Sequence, residues 1–172
     1  MDQPPAARLG IDDRMNAFHV ALLGEDELGV VVRAHIYVEH ELTAFIRARM
    51  SPPEAVDALK LDFDGRVKLA IVLGLPADFK PALRFLGSLR NRFAHQLDTA
   101  IAKQDADNFR NALGADKVIA VDAYRATQAK FRSNDMAVPI SDRDPRDRVV
   151  LYLITLWSGI AVAAVKAREQ AE

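Results

Sequence analysis

The sequence predicts an all-α protein, a single bundle of about six or seven helices. Three observations carry that expectation. Apolar residues recur at spacings of three and four along most of the chain, which lays them on one face of a helix. Capping residues and glycine or proline stops fall where those stripes begin and end. Strand signals are nearly absent: no period-two apolar run is flanked by turn residues, and no Asn-Gly or Asp-Gly joins two such runs. No repeat at a solenoid period is present.

Taken in order, Met1 to Gly10 carries two prolines and reads as a flexible arm, with residues 11–168 forming one domain. The arm lacks a basic stretch followed by an apolar one, so it is not expected to be a secretory signal. Ile11 to Leu23 is a short amphipathic helix ended by Gly24. Asp26 can cap a long helix to about Met50, with an apolar stripe that runs from Leu28 to Ile46 and includes His35. Ser51-Pro52-Pro53-Glu54 stops that helix and starts the next. Asp62 or Asp64 opens a helix that Gly74 ends in a left-handed stop. Asp78 is expected to cap a helix with the stripe Phe79, Leu83, Leu86, Arg90, Phe93 and Leu97. Ala106–Leu113 and Lys117–Phe131 follow as helices separated by Gly114. Ser133–Pro145 reads as a linker, and Asp144-Pro145 starts the last long helix.

The chain has 172 residues, about one domain by length. Lys and Arg number 23 and Asp and Glu 24, a net charge of −1. That balance excludes a generally basic nucleic-acid binder but leaves room for a local basic site. Cysteine is absent, which excludes disulfides, thiolate metal sites and cysteine nucleophiles, and fits a cytoplasmic location. Val149 to Val165 is uncharged over 17 residues, short of the roughly 20 that a membrane span needs. Basic residues flank it on both sides, so it is expected to be the central helix of the bundle and not a membrane segment.

Two places put polar groups where the period asks for apolar ones. His35 and Glu39 lie one turn apart on the second long helix. Arg90 occupies a stripe position between Leu86 and Phe93. An unpaired buried charge is costly, so Glu39 and Arg90 are expected to pair or to share a cleft. The pair would either fix helix register or mark a binding or active site. Arg90 to His95 reads RNRFAH. Arg90 and His95 differ by about 140° around a helix, whereas Asn91 and His95 share a face. A twofold axis would bring all three to one groove, so a homodimer is expected. Arginine offers a planar fork for phosphate oxygens, and histidine can move a 2′-hydroxyl proton near neutral pH. That chemistry needs no metal and no cofactor.

The stretch Phe63 to Asp98 resembles the mannitol-operon-repressor family. The carrying pieces are Arg66-Val67-Lys68-Leu69, Leu73-Gly74-Leu75 and Arg90 to His95, with Val38-Glu39 and Leu42 upstream. The Arg90-Asn91-x-x-x-His95 segment also resembles the signature of HEPN domains, small helical bundles. Many members of that group dimerise and cleave RNA without metal; others only bind. The resemblance implies Arg90 and His95 as catalytic residues, with Asn91 and Glu39 in support; His35 is a further candidate binding residue by its place beside Glu39.

Other motifs are set aside. His40-Glu41-Leu42-Thr43-Ala44 begins like a zinc-protease helix but lacks the second histidine, and His35, Glu39 and His40 are too few for a metal site. No phosphate-cradling glycine loop or nucleophile elbow occurs. Phe79 and Phe93 fit core packing better than base stacking, and Arg84 and Arg92 fit a solvated face. Nor does a basic recognition helix appear, so direct reading of duplex DNA is not expected. The resulting expectation is a regulatory protein acting through RNA or protein partners. The alternative is a HEPN-type metal-independent endoribonuclease or RNA-binding module.

Overall fold

A computed structural model of the chain describes residues 10–97, 99–114 and 142–171. They form an all-α bundle of seven helices with no strand among the described residues. These are α1 (Ile11–Leu23), α2 (Glu27–Arg49), α3 (Ala55–Ala58), α4 (Phe63–Val72), α5 (Lys80–His95), α6 (Lys103–Leu113) and α7 (Pro145–Glu169). The arm to residue 9, the helix expected over Lys117–Phe131 and most of the Ser133–Pro145 linker lie outside the described residues.

The helix starts follow one device. The Asp26 side chain accepts from the Gly29 N–H at 2.7 Å, and Asp62 accepts from the Gly65 N–H at the same distance. Each satisfies a backbone donor that the first turn leaves without a partner. Asp62, and not Asp64, is therefore the cap of α4. Asp144 accepts from the Arg146 N–H at 2.8 Å, with Pro145 in the first turn of α7. Helix α4 ends as the glycine predicts: Gly74 has φ +103°, and the Leu75 N–H reaches back to the Ala70 carbonyl at 2.9 Å. This left-handed closure seats Leu75 in the core.

Two expected starts differ. The Ser51-Pro52-Pro53-Glu54 segment leads only into the four-residue α3, without a side-chain cap. Asp78 does not cap α5. A 3-10 turn over Ala77–Phe79 precedes the helix, and Pro81 presets the backbone of its first turn.

Helices α2 and α7 pack along one another and form the spine; α1 and α6 flank α7, while α4 and α5 cover another side of α2. All residues from Tyr152 through Ser158 are buried, which requires neighbours on every side. By length and composition α7 could cross a membrane, yet 67% of its most apolar window is buried inside the bundle. Trp157 packs against Phe18 of α1, whose ring stacks on Tyr37 of α2. The Arg146 guanidinium donates to the Glu25 carbonyl at 2.7 Å, which ties the start of α7 to the α1–α2 turn.

The buried stripe of α5 is Ala82, Leu83, Leu86, Leu89 and Phe93. Arg90 is exposed, and Leu97 lies past the helix end in solvent. The sequence spacing from Leu86 allows position 89 or position 90 to face inward. Desolvating a guanidinium costs far more than leaving it in water, so Leu89 takes the core and Arg90 turns out.

Candidate functional site at the junction of α2, α4 and α5

A cleft of about 530 Å³ opens where α4 and α5 meet α2. Helix α2 contributes His35 and Glu39, one turn apart, and α5 contributes Arg90 and Asn91 from its penultimate turn. Phe63 and Val67 of α4 give the cleft an apolar wall. Gly87 lets that wall close on α5: a Cβ there would lie 3.3 Å from Phe63 Cδ1.

The expected Glu39–Arg90 ion pair is not what forms. Arg66 of α4 donates from Nε to Glu39 Oε1 at 3.0 Å and from Nη1 to Thr43 Oγ1 at 3.2 Å. Thr43 in turn donates to the Glu39 carbonyl. The reason is helical phase. With Arg90 turned outward, the nearer partner is the arginine that sits one turn along from Phe63 on α4. Glu39 and Arg90 share the cleft without pairing. Arg66 was legible only as part of the Arg66-Val67-Lys68-Leu69 motif. Its position three residues after Phe63 is the signal that could have marked it as facing α2.

His35 stands between ring and charge. Its centroid is 4.2 Å from that of Phe63, and Nδ1 is 3.9 Å from Glu39 Oε2. Burial pushes its pKa below the ordinary histidine value; Glu39 pulls it back up and Arg90 pushes it down again. The ring is accordingly neutral at pH 7.

The arginines of α5 divide into two kinds. Arg92, expected on a solvated face, forks onto Asp105 of α6 at 2.8 and 2.7 Å. Arg84 faces Asp64 at 3.8 Å, a carboxylate that Lys68 also holds. Arg90 donates from Nη1 to Asn91 Oδ1 at 3.2 Å, and no carboxylate among the described residues pairs with it. No described residue takes up its remaining donors.

His95 is the last residue of α5 and is exposed; Gln96 leaves the helix with extended backbone. It shares a face with Asn91 but does not line the cleft. No described residue hydrogen-bonds to its ring or pairs with it.

The rejected zinc-protease-like motif has a structural use. Glu41 is 2% exposed and pairs with Arg14, whose guanidinium lies 5.5 Å from the Trp157 ring centre. Among the described residues no group of three metal-ligating side chains is placed to hold an ion. The chain matches no protein-family model, no curated protein and no solved structure.

Proposed function

We propose that the protein is a regulatory module that acts by binding RNA, with the α2–α4–α5 cleft and the end of α5 as its contact surface. One observation carries this reading: Arg90 is an exposed arginine at a cleft mouth with no carboxylate partner among the described residues. Around it stand an amide, a neutral imidazole and an aromatic ring, groups that suit a phosphodiester and an unstacked base. The module works as a cytoplasmic homodimer, with α5 at or beside the twofold axis. Duplex reading is disfavoured, because Arg84 and Arg92 on the same helix already face carboxylates. A partner protein docking on the same surface would use the same arginine.

The second reading is cleavage without metal. Asn91 and His95 present one exposed face, and Arg90 is one residue away, so the pieces of a general base and a charge stabiliser are accessible. Against it stands the His95 ring, which no described residue orients. Incubation of labelled single-stranded RNA with the protein in EDTA separates the two. Retention of intact RNA is the expected result. Fragments with 2′,3′-cyclic phosphate ends that disappear in His95→Ala would replace binding with catalysis.

A further inference from the structure

The cleft is more selective than a basic surface, because it offers three different chemistries within one concavity. Its volume of about 530 Å³ falls in the range of small-ligand sites, roughly 300–1,000 Å³. At the mouth, Arg90 keeps Nε and Nη2 for an anion while Nη1 holds Asn91. The same lining holds two carboxylates that are each half used. Glu39 Oε1 is taken by Arg66, and Oε2 has only the neutral His35 ring, 3.9 Å away. Asp62, which also lines the cleft, caps α4 through Oδ1 and has no partner on Oδ2 among the described residues. Half-used carboxylate oxygens accept from hydroxyl groups. Phe63 and His35, their ring centroids 4.2 Å apart, add an aromatic surface to the same lining.

We infer that this cleft takes a single ribonucleotide unit: phosphate on Arg90, ribose hydroxyls on the spare oxygens of Glu39 and Asp62, base against the Phe63 side. A free ribonucleoside 5′-monophosphate and the unstacked 3′-terminal nucleotide of an RNA chain present the same chemistry, a 5′-phosphate with both ribose hydroxyls free. For the second source, the inference rests on the RNA-binding reading above. Acidic groups facing the sugar make the site repel a second phosphate there, so monophosphates bind in preference to nucleotides phosphorylated on the ribose ring.

The test is calorimetric titration of the full chain with adenosine and uridine 5′-monophosphate, their 2′-deoxy forms, ribose 5-phosphate and inorganic phosphate. The ribonucleotides should bind best. Loss of the 2′-hydroxyl should weaken binding about tenfold, the cost of an unmade hydrogen bond to a charged acceptor. Arg90→Ala should weaken the ribonucleotides by about tenfold or more on the same scale. Ser88 is exposed and lines the cleft, so Ser88→Trp fills the space without touching the core and should abolish binding. A circular-dichroism melt equal to that of the parent confirms that the variant folds. Ribonucleotides that do not bind, or that bind no better than inorganic phosphate, overturn the inference. An RNA oligomer that binds Ser88→Trp as well as the parent, uncompeted by monophosphate, also overturns it while leaving the RNA-binding reading intact. Monophosphate binding without RNA binding supports the site and removes that reading.

Discussion

Arg66 donates through Nε to Glu39 Oε1 at 3.0 Å and thereby ties α4 to α2 at one of the residues that line the cleft. The two side chains are 21% and 34% exposed, so solvent screens the pair and its coupling is of order 1 kcal/mol rather than the several kcal/mol of a buried pair. A double-mutant cycle of Glu39→Gln and Arg66→Met in urea should give that coupling. The same cycle with Arg90→Met in place of Arg66→Met should give about zero. Equal coupling to both arginines would contradict the geometry.

The Arg92–Asp105 fork should matter more for stability. The Asp105 side chain is 7% exposed, and its Oδ2 also accepts from the Ala102 N–H at 2.8 Å. Arg92→Met strands a buried carboxylate and should cost about 3 kcal/mol. Arg92→Lys should recover only part of this, because an ammonium cannot form the parallel two-bond fork. Urea midpoints of the two variants measure the difference; identical midpoints would show that the fork geometry is irrelevant.

Acid should weaken the fold in the histidine range. His19, His35 and His40 all sit below the ordinary value, with burial the first cause in each; Arg14, Arg168 and Arg47 lower His40 further. As pH falls below about 6.5 the unfolded chain binds protons before the folded one does, so stability drops toward the lower folded values. Asp64 and Asp107, lowered by hydrogen bonds to Lys68 and to Lys103 and Arg148, act in the same direction at more acid pH. The urea midpoint should therefore be lower at pH 5.5 than at pH 7.5. The slope should shrink when the three histidines become glutamines. A midpoint that rises on acidification would contradict the burial of these rings.

The proposed dimer is checked by light scattering. The expected mass at micromolar concentration is twice the 19.0 kDa of the chain, and a substitution such as Ala94→Arg on the exposed end of α5 should shift it to the single-chain value. A mass of 19.0 kDa for the parent removes the dimer from the account.

The helices were legible because their signals are local. Asp26, Asp62 and Asp144 cap where an Asp precedes an apolar stripe, and Gly74 and Gly114 close helices with φ of +103° and +63°. The start of α5 was not, since Asp78 and Pro81 are competing start signals and the proline prevails. The candidate site was half legible. His35, Glu39, Arg90 and Asn91 do line one cleft, but which arginine meets Glu39 depends on the rotation of α4 and α5 about their axes. A sequence stripe fixes that rotation only to within one residue, and one residue is 100°. The exchange of Leu89 for Arg90 in the core is that ambiguity resolved by desolvation. Arg92 reads as solvated in the sequence because its partner Asp105 lies on another helix, and no local pattern records a contact across a turn of irregular chain.

The proposed anchoring of an RNA phosphate by Arg90 at the cleft mouth is read most directly by fluorescence anisotropy across a salt series. Short labelled single-stranded RNA should bind the parent chain with an affinity that falls as salt rises. Arg90→Ala should weaken binding by about tenfold and flatten the log–log salt slope by about 0.7, the share of one phosphate contact on a single strand. His95→Ala, at the edge of the proposed contact surface and outside the cleft lining, should weaken binding less than Arg90→Ala does. An Arg90→Ala protein that binds RNA with unchanged affinity and slope would contradict the account.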